Sequence, residues 1–290
     1  MDAFVQAAVE AGHAKNPDFN GPQQDGVGHY QLTQRNGMRC SAAAAFLRPA
    51  MERPNLTVIS DALATRILFD GNRATGVEIV RHGKAEEIRA ETEVIVAAGA
   101  YNSPQLLMLS GIGPAGDLTM LQIPVRADLP VGEGLQDHPA VAMSWISDTE
   151  GLLTALSPAN LEQFQREGRG PLTSNIGESG GFFRTRADLP APDIQYHAVP
   201  AVFFDEGLSA AATHGVTMAP CVLKPTSRGK VSLRTANPLK TPHLSQLLRH
   251  RGGPPQHDRG HAHRPRHRAA AGDASAYQGT AQRSEIVGAG

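Results

Sequence analysis

The hydrophobic pattern changes period within a few residues of position 99. Residues 94–98 (Val-Ile-Val-Ala-Ala) form an unbroken apolar run of strand length, the pattern of a strand covered on both faces. Gly99 predicts a tight turn at which a side chain would collide with a close neighbour. Ser103 is a good N-cap and Pro104 suits the first helical position, so a short helix is expected from there to Gly111. A buried strand, a small-residue turn and a helix opening at the strand's carboxyl end is one way of receiving a nucleotide-type cofactor, and it is also common α/β packing. Upstream, residues 3–11 have helical apolar spacing with a stop at Gly12, and Ser41 caps a helix to about residue 48 beside Pro49. Residues 56–59 and 64–69 read as strands. Asp70-Gly71-Asn72 turns into a returning strand over 75–81, and His82-Gly83 turns again into 85–90, which makes a small antiparallel meander. Downstream, strand patterns recur at 141–146, 178–184, 194–199, 216–223 and 230–233, with a helix at 158–167. That is the look of an antiparallel sheet with helices on one side.

Composition narrows the class. A chain of 290 residues can bury one large core or two modest ones. Its 40% hydrophobic and 19% charged residues are globular values, and a net charge of −1 argues against nucleic acid or an anionic surface as main partner. Two cysteines, Cys40 and Cys221, make neither a disulfide framework nor a metal cluster. A single bridge between them stays open, with two buried thiols in a reducing compartment as the favoured reading. No apolar run approaches the roughly 18–20 residues of a membrane span. The first residues lack the basic and apolar regions of a signal peptide, so the expected location is the cytoplasm, with peripheral membrane contact left open.

Several longer phrases carry a resemblance. Gly-Ala-x-x-Ser-Pro-x-Leu-Leu-x-x-Ser-Gly-Ile-Gly occupies 99–113, and Val-Gly-Glu-Gly-Leu-Gln-Asp-His-Pro occupies 131–139. Phe19-Asn20-Gly21, Arg39-Cys40-Ser41-Ala42-Ala43 and Phe46-Leu47-Arg48-Pro49 precede them, and Gly170-Pro171-Leu172-Thr173-Ser174-Asn175, Glu178-Ser179-Gly180-Gly181-Phe182, Pro192-Asp193-Ile194-Gln195 and Pro225-Thr226-Ser227-Arg228-Gly229 follow in order. Together these resemble the glucose–methanol–choline (GMC) family of flavoprotein oxidoreductases over residues 1–246, with Gly134 standing where that family usually has Asn.

The resemblance implies a fold class of α/β plus α+β: a partial FAD-binding doubly wound domain with a β-meander, and an antiparallel-sheet substrate domain. The implied divisions are 1–50 as an N-terminal part of the substrate or cap region, 51–140 as the partial FAD domain, 141–246 as an incomplete substrate domain, and 247–290 as a disordered tail. It implies FAD as cofactor, a small-molecule alcohol of choline-like or aliphatic type as substrate, and an electron acceptor that the sequence does not identify. The backbone at Ala64 would meet the adenine, and Ala98, Gly99 and Ala100 would run close to the dinucleotide; plain strand packing is the alternative for the last three. Ser174, Asn175 and Glu178 would line the substrate pocket, although a solvent-facing loop carboxylate is as ordinary a reading of Glu178. His197 is a weaker pocket candidate, since a hydrogen-bonded core histidine is the commoner outcome. Asp137 and His138 resemble an acid–base pair, but neighbours on an extended segment point to opposite sides, so a structural role is expected and no catalytic residue is assigned.

Family members resemble one another as chains about twice this long. They open on a Gly-x-Gly-x-x-Gly turn after a strand and end on a segment with a catalytic His. No Gly-x-Gly-x-x-Gly follows a predicted strand in this sequence, and the segment with the catalytic His is not found in it. The chain is therefore expected to be a middle piece, with Met1 an internal start, either a fragment of a primary-alcohol oxidoreductase or a catalytically inactive remnant.

From Leu247 the composition changes. Residues 249–268 hold five histidines and six arginines with no apolar periodicity. A basic tail for nucleic acid, a His-rich metal tract and a shifted reading frame beginning near Gln246 are the three readings of it.

Overall fold

The computed structural model describes residues 1–203 and 213–245. The tail expected over 247–290 lies outside the described residues.

Helix α1 (Asp2–Glu10) buries Val5 against the strand that follows. That strand, β1 (Gly26–His29), is one edge of the largest sheet, although most of the sheet comes from the second half of the chain. A small hairpin, β2 (Gln34–Arg35) and β3 (Met38–Arg39), precedes a π-helical turn at Ala43–Leu47 that runs into α2 (Arg48–Ala50).

The meander expected from the alternating pattern is present as β4 (Ala62–Asp70), β5 (Arg73–Arg81) and β6 (Lys84–Arg89), paired in sequence and antiparallel. His82 and Gly83 both have positive φ, 50° and 76°, the backbone that a tight two-residue hairpin turn needs. Arg126 holds the meander's first turn by donating to the Gly71 carbonyl at 2.8 Å, and it lies 4.4 Å above the Phe69 ring.

Helix α3 (Gly99–Leu109) packs on β4. Ser110, buried just after it, donates to the Leu106 carbonyl at 2.6 Å and accepts from the Ile67 amide at 2.9 Å, which pins helix to strand. A two-residue parallel pair, β7 (Ile112–Gly113) with β8 (Ala127–Asp128), brackets α4 (Ala115–Met120). The main core cluster is Met108, Leu118, Ile123 and Val231. Val231 comes from β14 (Gly229–Ser232), which pairs with β9 (Glu133–Leu135) on one side and β15 (His243–Ser245) on the other. Lys230 of β14 reaches Asp117 of α4 at 2.8 Å, so charge as well as apolar contact holds this layer.

The five-stranded sheet runs β1-β11-β12-β13-β10, every neighbour antiparallel. Its further strands are β10 (Met143–Ile146), β11 (Ser179–Phe183), β12 (Ile194–Val199) and β13 (Gly215–Val222). The helix α5 (Pro158–Glu167) shows each terminal signal of its sequence. Ser157 accepts from the Asn160 amide, Pro158 takes the first turn, and Gly168 closes it in the left-handed region at φ 62°.

Five expectations fail. Residues 56–59 form no strand. Residues 94–98 form no strand either: among the described residues no strand pairs with the run, and Ile95 is 79% exposed. Helix α3 begins at Gly99 rather than Ser103, and Ser103 lies in its first turns, where its Oγ accepts from the Ala98 amide at 3.0 Å. Gly99 is required by its backbone, φ 83°, and not by crowding, since a Cβ there would meet nothing within 4 Å. Both cysteines are free thiols; Cys221 is buried as expected, whereas Cys40 is only half-buried.

Candidate functional site

One face of the large sheet gathers unusual side chains because two strands give up theirs. Gly180 of β11 pairs with His197 of β12, and a Cβ on Gly180 would sit 2.3 Å from the Tyr30 hydroxyl and 1.9 Å from the Tyr196 carbonyl oxygen. The missing side chain is what lets Tyr30 lie across the sheet. Its amide donates to the Glu178 carbonyl at 3.0 Å, its hydroxyl donates to the Tyr196 carbonyl at 2.5 Å, and the same oxygen accepts from Gln195 Nε2 at 3.2 Å. Phe19 and Phe182 flank the ring at 5.4 and 6.2 Å between centroids. Burial pushes the Tyr30 phenol up to about 12, with the Gln195 contact opposing it.

His197 stands beside this tyrosine, ring centroids 5.6 Å apart, with Nε2 3.9 Å from Cys221 Sγ. It is half-buried. Burial, with a smaller contribution from the charge of His138, holds its pKa below the ordinary histidine value, so it is a neutral hydrogen-bonding imidazole at pH 7. Burial raises the Cys221 thiol, which disfavours the thiolate and leaves Cys221 a packing group.

The loop before β11 approaches the same histidine: a Cβ on Gly177 would lie 3.8 Å from His197 Nδ1. In that loop the Ser174 hydroxyl accepts from the Ile176 amide and Asn175 donates to the Gly177 carbonyl, each at 3.0 Å, which holds Ile176 at φ 74°. Glu178 is partly exposed and contributes its backbone to Tyr30. The structure thus brings Ser174, Asn175, Glu178 and His197 into one neighbourhood. Ala64 sits exposed on β4 opposite Ile79, and Ala98, Gly99 and Ala100 are exposed at the start of α3. Asp137 bonds locally, its Oδ1 accepting from the His138 amide at 2.9 Å.

Sequence reasoning missed Tyr30 and Gln195. The available signal was the run Gly26-Val27-Gly28-His29-Tyr30, in which glycines alternate with larger residues as on a strand crowded on one face.

Ser179, His29 and Asp2 also form a chain of hydrogen bonds: Ser179 Oγ to His29 Nδ1 and His29 Nε2 to Asp2 Oδ1, each 2.9 Å. Burial runs the wrong way for acyl transfer. Ser179 is 0% exposed while the Asp2 side chain is 99% exposed. A nucleophile must meet substrate, and the orienting carboxylate must be the sheltered member. This trio fastens α1 to the sheet. Among the described residues no group of three or more His, Cys, Asp or Glu is arranged to hold a metal ion.

Residues 1–140 match the family described as GMC oxidoreductase. The alcohol dehydrogenase [acceptor] of Pseudomonas putida is 40% identical over 251 residues, covering 83% of this chain and 45% of that protein. The chain belongs to the GMC oxidoreductase family. The oxygen-dependent choline dehydrogenase of Brucella anthropi is 42% identical over 248 residues, again 83% of this chain and 45% of that one. Pyridoxine 4-oxidase from Mesorbium loti superposes with a TM-score of 0.71 at 26% identity, over 85% of this chain and 46% of that one. A formate oxidase, with a TM-score of 0.75 at 23% identity over 85% and 48% of the two chains, shares the fold. The chain spans about half the length of the relatives it matches.

FAD is the cofactor of GMC oxidoreductases. One wall of such a site fits this structure: Gly99 opens an eleven-residue helix, with positive φ and open space where a side chain would point. A dinucleotide's backbone and phosphates approach closely at that kind of turn. Among the described residues no helix is long and apolar enough to cross a membrane.

Proposed function

We propose that this chain is part of an FAD-dependent oxidoreductase that converts a primary alcohol, choline-like or aliphatic, into an aldehyde. The alcohol gives up a hydroxyl proton and a carbinol hydride; FAD, when bound, is the group that takes the hydride. In this reading Ala64, Ala98, Gly99 and Ala100 face the dinucleotide through their backbone. Ser174, Asn175, Glu178 and His197 bind the alcohol, with neutral His197 accepting from its hydroxyl and Glu178 suited to a cationic head group. No described residue is assigned as the base. The protein works in the cytoplasm, and its electron acceptor is a separate molecule.

The observation that carries the flavin reading is Gly99, whose positive φ in open space at a helix start suits a phosphate-bearing ligand. A second reading, an inactive remnant, is favoured by Ile95, which stands 79% exposed on the segment that leads into that turn. Our proposal is that this polypeptide by itself turns over no alcohol. The test is purified protein given FAD, followed by absorbance near about 450 nm, where oxidised flavins absorb, and by dye-linked oxidation of choline and of short aliphatic alcohols. Retained flavin without turnover supports a fragment of a working enzyme. Loss of all flavin on gel filtration supports the remnant, and measurable alcohol oxidation overturns the claim of inactivity.

A further inference from the structure

Sequence and fold agree as far as β15. Leu244 sits opposite Val231 in register and packs against the main core, and the strand closes at Ser245. A few residues later the chain turns into a string of Arg, His, Gly and Pro with no helical or strand periodicity. We infer that residues from Leu247 onward are translated one base out of register, and that the protein's intended continuation is a helix written in the neighbouring frame.

The argument rests on the genetic code. Reading from the second base of each codon, histidine (CAT or CAC) becomes Ile or Met when its third base is T, and Thr when it is C. The first base of the next codon chooses between Ile and Met. Asp258 precedes nothing but Arg259, so GAT there becomes Ile. Arginine and glycine codons become Ala, Glu, Asp, Gly or Val, and proline and alanine codons include Arg among their outcomes. The residues that make the tail incompatible with a core are thus the ones whose displaced reading yields core and helix residues.

From Leu247 to Pro254 the displaced frame can spell Tyr-Phe-Ala-Thr-Glu-Glu-Asp-Arg. From His257 to His267 it can spell Met-Ile-Ala-Gly-Met-Arg-Ile-Ala-Arg-Asp-Ile. A Thr followed at once by three acidic residues is a helix N-terminus, with a cap and a first turn of the favourable sign. Met-Ile-x-x-Met then places apolar side chains at i, i+1 and i+4, on one side of a helix. The tract as written has neither property: Gly252-Gly253-Pro254-Pro255 stands where the displaced frame has its acidic turn.

The coding DNA tests this codon by codon. The spelling above uses CAT, not CAC, at His257, His261, His263 and His267, GAT at Asp258, CGA or AGA at Arg251, and GGA at Gly252 and Gly253. The seven histidines before Leu247 supply the gene's own CAT usage as control. The expected result is CAT at no fewer than three of the four positions, above that control, with the displaced frame open through residue 268. CAC at two or more of them, CAT at no more than the control rate, or a stop codon in the displaced frame within 247–268 overturns the inference.

Discussion

Replacing Tyr30 with Phe isolates the hydroxyl at the centre of the candidate site. The ring contacts with Phe19, Phe182 and His197 survive, so loss of packing contributes little. What disappears is the donation to the Tyr196 carbonyl at 2.5 Å and the acceptor for Gln195 Nε2 at 3.2 Å. Deleting one partner of a buried hydrogen bond costs about 1–3 kcal/mol, because the other partner keeps its desolvation penalty. For a domain of this size each kcal/mol lowers Tm by roughly 2–4 °C, so the variant is expected to melt about 2–12 °C below the parent in differential scanning calorimetry. Alkaline titration gives a second readout. The phenol is raised from its ordinary 10 to about 12, so the folded state holds this proton longer than the unfolded one. The stabilisation linked to it is complete below pH 10 and is lost as pH rises towards 12. The parent therefore shows a tyrosinate absorbance step near 12 that the variant lacks. An unchanged Tm together with an unchanged alkaline titration would refute the account of Tyr30 as the buried clasp of this sheet.

Leu118→Ala, at a fully buried position of the main core, should cost about 2–5 kcal/mol, read as a lower urea midpoint with unchanged slope; a midpoint equal to the parent's would mean the cluster does not hold the fold. Gly99→Ala meets only backbone strain, about 1 kcal/mol or somewhat more. Gly132→Ala adds to similar strain a Cβ 2.1 Å from the Val231 carbonyl oxygen, so it should be much the more damaging in parallel thermal melts, and equal losses would contradict the packing of β14. His197 has a depressed pKa when folded, so the unfolded chain takes up its proton first as pH falls. Its contribution is present above the unfolded value of about 6.5 and is lost as pH drops below it; in denaturation series from pH 7.5 to 5, His197→Gln should lose less stability than the parent, and identical slopes would remove the desolvation argument.

Local signals survived in the fold where local physics was enough. Ser157, Pro158 and Gly168 bound their helix, and His82-Gly83 makes its hairpin. Four of the five strands of the large sheet lie within a residue or two of where alternation places them, and the fifth, β1, was not expected as a strand. Residues 94–98 show the opposite. An apolar run states that a strand needs cover on both faces, but it cannot supply the neighbours that give its amides and carbonyls partners. Serine misled in a smaller way: Ser103 has the chemistry of an N-cap, yet the helix starts at Gly99 and its hydroxyl serves the Ala98 amide instead. The loop over 174–178 and His197 were legible as site candidates through phrases in the sequence. Tyr30 and Gln195 were not, because their meeting depends on β1 pairing with β11 across 150 positions of chain.

The bare run at 94–98 also sets how this protein will behave in a tube. Val-Ile-Val-Ala-Ala carries no charge, no proline and high strand propensity, and its backbone pairs with no strand among the described residues. Such segments from different molecules can stack in register, each capping the open edge of the next, with matching side chains interleaving into a dry seam. Glu91 and Glu93 guard only the amino-terminal side of the run. Concentrated solutions are therefore expected to lose protein to thioflavin-positive aggregates, and Ile95→Lys to keep it dispersed without touching the buried core.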